Sequence, residues 1–318
     1  MTKKEQRQYT LSERVIPIIA RNTTTRKWRK YIFKILEEEQ EVDCVIFFNV
    51  PINQIKGLAS SIRAYYDLPI VFFDGDMPAI LSRFGGFQTG FDAYVGADLT
   101  EYDAFIVNSK GVIPELKRMG ARNVHTIYYG ADPNVYSPID VGKDIDIFFY
   151  GYGAEFRESW MKWMITEPSK ILREAHFAIG GTHFSIDLGM TKKFGDIPFS
   201  AWRRFCCRSK INLNITRQAH ASVYASSTSR PFELASLGCC IVSNPYNGLE
   251  EWFDINKEIF IVNNAKEAYD IYQWLLSDDE TRIKAANSAR KRVLKEHTYK
   301  HRAEQLLDII KKLRTKDA

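Results

Sequence analysis

The chain has 318 residues, 45% hydrophobic and 26% charged, long enough for two globular domains and too apolar for a disordered polymer. Its 44 Lys and Arg against 39 Asp and Glu leave a formal charge of +5, too mild for a protein that coats nucleic acid along its whole surface. Residues 1–34 alone hold ten basic side chains and two acids, the body is faintly acidic, and Lys311, Lys312, Arg314 and Lys316 make the C-terminus basic again.

Short apolar runs alternate with helical periodicity from end to end. In the first half, strands are expected over residues 15–20, 42–50, 70–73, 104–107 and 125–129, with helices over 29–39, 55–66 and 112–119. A polar, Pro-bearing stretch over 132–142 interrupts the pattern and reads as a domain boundary. Strands then follow over 145–150, 175–179, 211–215, 239–243 and 259–262. Helices are expected over 157–164, 199–208, 231–237, 266–277 and 279–296, with an amphipathic one near 301–313. Strand–helix alternation with continuous Ile, Val and Phe runs predicts an α/β protein with two doubly wound parallel sheets. The expected domains are 1–141 and 142–298, with a last helical segment over 299–318.

Cys44, Cys206, Cys207, Cys239 and Cys240 are odd in number and form no C-x-x-C, which argues against a disulfide framework or a zinc site. The last four read as small buried hydrophobes, and a reducing cytoplasmic setting is expected. No apolar run approaches the roughly 20 residues that span a bilayer, and the N-terminus has no signal-peptide core.

Ligands of open parallel sheets bind beyond the carboxyl ends of the strands, so the strand exits carry the candidates. Gly151 and Gly153 follow one strand and precede Arg157 at a helix start, a turn that could bring backbone N–H groups and a guanidinium to an anion. Gly180-Gly181 is a second glycine-rich exit, and Gly195-Asp-Ile-Pro-Phe199 is a compact turn able to present backbone groups to a flat ring. The richest stretch runs from Arg217 to Ser243. Its loop holds His220, Ser227, Thr228 and Ser229, and Arg230-Pro-Phe-Glu233 opens a helix whose first turn could meet a phosphate. Glu233, among apolar neighbours, must be paired or must bind something: a ribose, Arg230 or the helix dipole. In the first half, Asp74 and Asp76 follow a buried strand, as acid–base or hydroxyl-binding groups or as an Asx turn, and Gly85, Gly86 and Gly90 suggest a mobile loop. Zinc-protease, α/β-hydrolase, P-loop and complete dinucleotide motifs are absent from the sequence.

Three ordered segments then resemble glycosyltransferases of the GT-B fold, and more narrowly the CgeB-like, spore-maturation-type family within groups 1/4. They are Val124-His-Thr-Ile-Tyr-Tyr-Gly-Ala-Asp-Pro-Asn-Val-Tyr-Ser-Pro138, Ser229-Arg-Pro-Phe-Glu-Leu-Ala-Ser-Leu-Gly-Cys-Cys-Ile-Val-Ser243 and Glu296-His-Thr-Tyr-Lys-His-Arg302. The resemblance spans roughly residues 40–313. It implies two Rossmann-like domains facing across a cleft, with a C-terminal helix returning to the first. It also implies a nucleotide-diphosphate sugar as co-substrate, with no other cofactor and no metal. It places Glu233 on the donor ribose, Arg157 with Gly151 and Gly153 near the pyrophosphate, Ser227, Thr228, Ser229 and Arg230 at the phosphates, and Ile197 and Pro198 at the base. The second glutamate of many retaining relatives falls at Ala225, so Arg217 or His220 is expected to take part of that role. Asp76 is the candidate general base on the acceptor side. The basic ends suggest an anionic acceptor or a membrane surface, with peripheral association. They lack the interleaved aromatics of a nucleic-acid binder, and no obligate protein partner is evident. The competing reading is a catalytically silent GT-B protein that binds a nucleotide sugar or glycan.

Overall fold

The computed structural model describes residues 11–39, 41–81, 93–153 and 157–315. Gly85, Gly86 and Gly90, with Lys3, Lys4, Arg7 and Lys316, lie outside them. Two compact units emerge. One comprises 1–108, 112–126 and 306–318; the other comprises 109–111 and 127–305.

The first unit opens with helix α1 (Leu11–Glu38). The strand expected over 15–20 is therefore helical. A short apolar run has no decisive period of its own, and helix propagates cooperatively from the flanking turns. Strands β1 (Val45–Phe48), β2 (Ile70–Asp74), β3 (Ala104–Val107) and β4 (Val124–Thr126) form a parallel sheet in chain order. Helices α2 (Leu58–Arg63) and α3 (Ile113–Arg118) lie in the connections from β1 to β2 and from β3 to β4. Every residue of β3 is buried, as a continuous Ala-Phe-Ile-Val run in the middle of a parallel sheet requires. Tyr102 meets Phe47, Phe72 and Phe105 edge-on, with centroids 5.3–6.1 Å apart.

The second unit carries β5 (Ile145–Tyr152), β6 (Phe177–Thr182), β7 (Lys192–Lys193), β8 (Ser209–Asn214), β9 (Cys240–Ser243) and β10 (Phe260–Ile261). Their spatial order is β10-β9-β8-β5-β6-β7, all parallel. The chain thus builds outward from β5 to one edge, then returns to build outward from β8 to the other. The reversal falls between β5 and β8. Its helices are α4 (Glu158–Met161), α5 (Glu167–Ile171), α6 (Phe199–Arg208), α7 (Gln218–Ser222), α8 (Ser229–Ser236), α9 (Ala265–Ser277) and α10 (Asp279–Glu296), and α11 (Tyr299–Arg314) starts in this unit and belongs to the first from Leu306 on. The helix expected over 157–164 is broken by a π-turn at Lys162–Thr166 before α5 resumes it. Asn264 and Asp278 cap α9 and α10 by accepting from Glu267 N and Thr281 N, each at 2.9 Å. Cys206, Cys207, Cys239 and Cys240 are buried free thiols, as their sequence context suggested.

The division between units falls after Thr126, upstream of the expected 141/142 boundary. The Pro-bearing stretch reads as a linker by composition, yet it is tied to the second unit. Arg203 Nε donates to Ser137 O at 2.6 Å, and Ser236 Oγ donates to Tyr136 O at 2.6 Å. Two of the quoted motifs lock together in the same way. Ala131 N donates to His297 O at 3.0 Å, Tyr299 N donates to Ala131 O at 3.1 Å, and Arg302 reaches Tyr129 O at 3.0 Å. A side chain at Gly130 would meet His297 O at 2.7 Å, so this clasp needs glycine there.

Candidate functional site

In an open parallel sheet the ligand crevice lies beyond the carboxyl ends of the strands, where strand order reverses. In the second unit that point is flanked by the ends of β5 and β8. Arg157, at the start of α4, spans both: its Nε donates to Ile215 O and its Nη1 to Tyr152 O, each at 3.3 Å. The guanidinium is held at the reversal by two backbone carbonyls.

Beyond β8 come Arg217 and then His220 on α7. His220 is 4% exposed. Burial and the nearby Arg217 and Arg157 charges pull its pKa down to about 3, opposed by a hydrogen bond to the Ser226 backbone. The ring is therefore neutral at physiological pH, and Nδ1 is buried with no hydrogen-bond partner among the described residues. A buried polar atom without a partner costs on the order of 1–3 kcal/mol.

α8 starts at Ser229, with Thr228 extended before it and no side-chain cap on its first turn. The Ser227 hydroxyl accepts from Tyr129 N at 2.9 Å. One turn in, the half-buried Glu233 has its carboxyl pulled upward by burial. The Arg230 charge and hydrogen bonds from Tyr136 and Ser229 work the other way. Tyr136 is the residue that sequence reasoning missed. It lies within a quoted motif, and its role appears only once 127–141 folds onto this unit. Tyr299, from the third motif, also feels the Glu233 charge, so all three segments converge on this carboxylate.

Other candidates are absorbed by the scaffold. Arg230 donates to Tyr150 O and lies over the Phe149 ring at 5.1 Å, so its guanidinium braces β5. A Cβ on Gly151 would meet Arg230 Nη2 at 3.2 Å, and one on Gly153 would meet Phe184 Cδ1 at 2.3 Å. These glycines permit close packing along β5. The Ile197 side chain is core, so only its backbone and the exposed Pro198 can face a ligand. Ala225 is fully buried with φ 46°, packed on the Gly248 backbone.

Asp76 belongs to the first unit. Its N–H donates to Asp74 Oδ1 at 2.9 Å, the Asx turn the sequence allowed. Asp74 also accepts from Tyr94 Oη at 2.7 Å, and burial raises its pKa.

Residues 157–308, nearly half the chain, match a family model described as glycosyl transferase-like. No curated protein sequence matches the chain. Among solved structures it is similar to Anabaena HepE in complex with UDP and glucose, at 13% identity and TM-score 0.68, covering 96% of this chain and 84% of that one. It is similar to sucrose-phosphate synthase from Thermosynechococcus elongatus, at 12% identity and TM-score 0.65, covering 92% and 79%. A glycosyltransferase from Rickettsia africae is similar at 13% identity and TM-score 0.64, covering 98% and 84%. The fold is that of GT-B glycosyltransferases. No described helix is long and apolar enough to cross a membrane.

Proposed function

We propose that this chain transfers a glycosyl group from a nucleoside-diphosphate sugar to an acceptor hydroxyl. The observation that carries the reading is the buried, neutral His220 with an unpartnered Nδ1, set beside Arg157 and Arg217 at the reversal of the second sheet. The matched family segment, which begins at Arg157, supports it. So does the UDP and glucose held by Anabaena HepE, which shares the fold.

In the reaction, the bond from the sugar C1 to the diphosphate oxygen breaks and its electron pair leaves with the diphosphate. Arg157 and the Ser229 and Arg230 amides of the uncapped α8 terminus meet that growing charge, and a preorganised cation is worth more there than in water. His220 Nδ1 accepts a hydrogen bond from a sugar hydroxyl. Glu233 accepts from the ribose hydroxyls, with Tyr136 orienting the carboxylate. The backbone around Ile197 and Pro198 borders the base. The acceptor oxygen forms its bond to C1 and gives up its proton to a base. No metal enters this scheme. The three quoted motifs support the narrower CgeB-like placement.

The test is calorimetric titration with UDP, GDP, ADP, TDP and CDP, followed by donor turnover. Glu233→Gln should weaken the nucleotide that binds by about 10- to 100-fold, the value of one charge-assisted hydrogen bond. Unchanged affinity would remove Glu233 from the ribose. Binding of no nucleotide would overturn the reading, and binding without release of diphosphate from any sugar donor would identify the silent alternative.

A further inference from the structure

We infer that the outer face of α1 docks the protein on an anionic lipid surface. The helix has an inner side that is accounted for. Thr25 Oγ1 donates to Gln54 O at 2.7 Å, Phe33 meets Tyr65 and Tyr66 edge-on at 5.2 and 5.5 Å, and Arg29 lies over Phe33 at 5.2 Å. Ile32 and Leu36 are half-buried on that side. At 3.6 residues per turn, Lys27, Lys30 and Lys34 fall on one stripe opposite it. Trp28, Tyr31 and Ile35 follow the same i, i+3, i+7 spacing and form the adjoining stripe. They are 42%, 60% and 37% exposed, and the Trp28 and Tyr31 rings touch edge-on at 6.3 Å.

Three large apolar side chains in a row on an outer face are costly in water unless something covers them. The neighbouring row of lysines selects a negatively charged cover. Indole and phenol rings beside lysines suit the boundary between headgroups and acyl chains, where the rings enter and the ammonium groups stay with phosphates. Lys34 is shared with Glu38 at 3.6 Å, a surface pair that a phosphate can replace. The docking face lies on α1 alone and is independent of the transferase reading, so it is tested without catalysis.

The full chain is sedimented with vesicles of phosphatidylglycerol in phosphatidylcholine, and with phosphatidylcholine alone. The expected result is binding to the anionic vesicles only, reduced about a hundredfold in the triple variant Lys27→Gln, Lys30→Gln, Lys34→Gln. Brominated acyl chains should quench part of the tryptophan emission, and Trp28→Phe should abolish that quenching. A far-ultraviolet melt identical to wild type establishes that the variants fold. Equal binding to neutral vesicles, no binding to either, or full retention by the triple variant would each overturn the proposal. Binding to duplex or single-stranded DNA with no vesicle binding would also overturn it and give the face to nucleic acid.

Discussion

Replacing Ala225 with glutamate puts a carboxylate at a buried position, and the structure predicts lost stability with no gain in activity. Ala225 is wholly buried and holds φ 46°. Its N–H donates to Asn247 O at 2.9 Å, and its carbonyl accepts Lys110 N at 3.2 Å. Gly248 approaches so closely that a Cβ there would stand 2.3 Å from Ala225 N. A glutamate must either bury an ionised carboxylate, at a cost of several kcal/mol, or protonate and overpack the site at about 1–3 kcal/mol. A loss of about 3 kcal/mol lowers the Tm of a unit of this size by roughly 6–12 °C. Ala225→Gly is the control: it relieves the left-handed backbone and should stay within about 1 kcal/mol of wild type. Thermal unfolding by circular dichroism reads the stability, and donor hydrolysis at 20 °C reads the activity of whatever remains folded. A glutamate variant that melts like wild type, or turns over faster, would refute the claim that this position has been turned inward.

Two further outcomes follow from the second unit. Burial holds His220 at about 3 and His297 at about 4, against 6.5 when unfolded, so both are neutral in the native state. Their contribution is complete above pH 6.5 and lost as pH falls toward 3–4; by pH 5.5 the two together should cost about 2–3 kcal/mol. His220→Gln should remove about half of that acid sensitivity between pH 7.5 and 5.5 in urea titrations. The raised carboxyls of Asp74 and Glu233 act with opposite sign and are common to both proteins, so an unchanged slope would count against the buried neutral ring. Gly153→Ala drives a methyl to 2.3 Å from Phe184 Cδ1 and 2.6 Å from His183 O. It should cost about 1–3 kcal/mol in the urea midpoint, and an unmoved midpoint would show that the β5 exit is looser than its packing implies.

The fold was legible wherever one short-range signal dominated. Ala104–Val107, Phe199–Arg208 and Asp279–Glu296 have the bounds that periodicity assigns them. The misreading at 15–20 has the opposite cause, because apolarity without a period fits a strand and a helical turn equally well. The compact units divide after Thr126 rather than at 141/142 because Pro and polar residues mark the loss of regular structure, whereas unit membership depends on partners far away in sequence, such as Arg203 and Ser236. The site shows the same split. The places of Arg157, His220 and Glu233 at strand and helix ends were legible in the sequence. Arg230 was chosen by the same rule, yet it turns back to Tyr150 O, a direction set by packing over Phe149 that no local pattern encodes. Tyr136 escaped notice because its partner is nearly a hundred residues away.

The burial of His220 also explains how two guanidiniums and a hydrogen-bond acceptor can share the reversal. A charged imidazole between Arg157 and Arg217 would repel both, and desolvation removes that repulsion by removing the proton. The positive charge then rests on guanidiniums, while the ring keeps a lone pair for a hydroxyl. A lysine at position 157 would not serve as well. Its ammonium is a compact point donor, whereas the planar guanidinium grips the ends of β5 and β8 through two separate nitrogens. The charge is therefore fixed at the strand reversal before any ligand arrives, which is the preorganisation that stabilising a departing diphosphate requires.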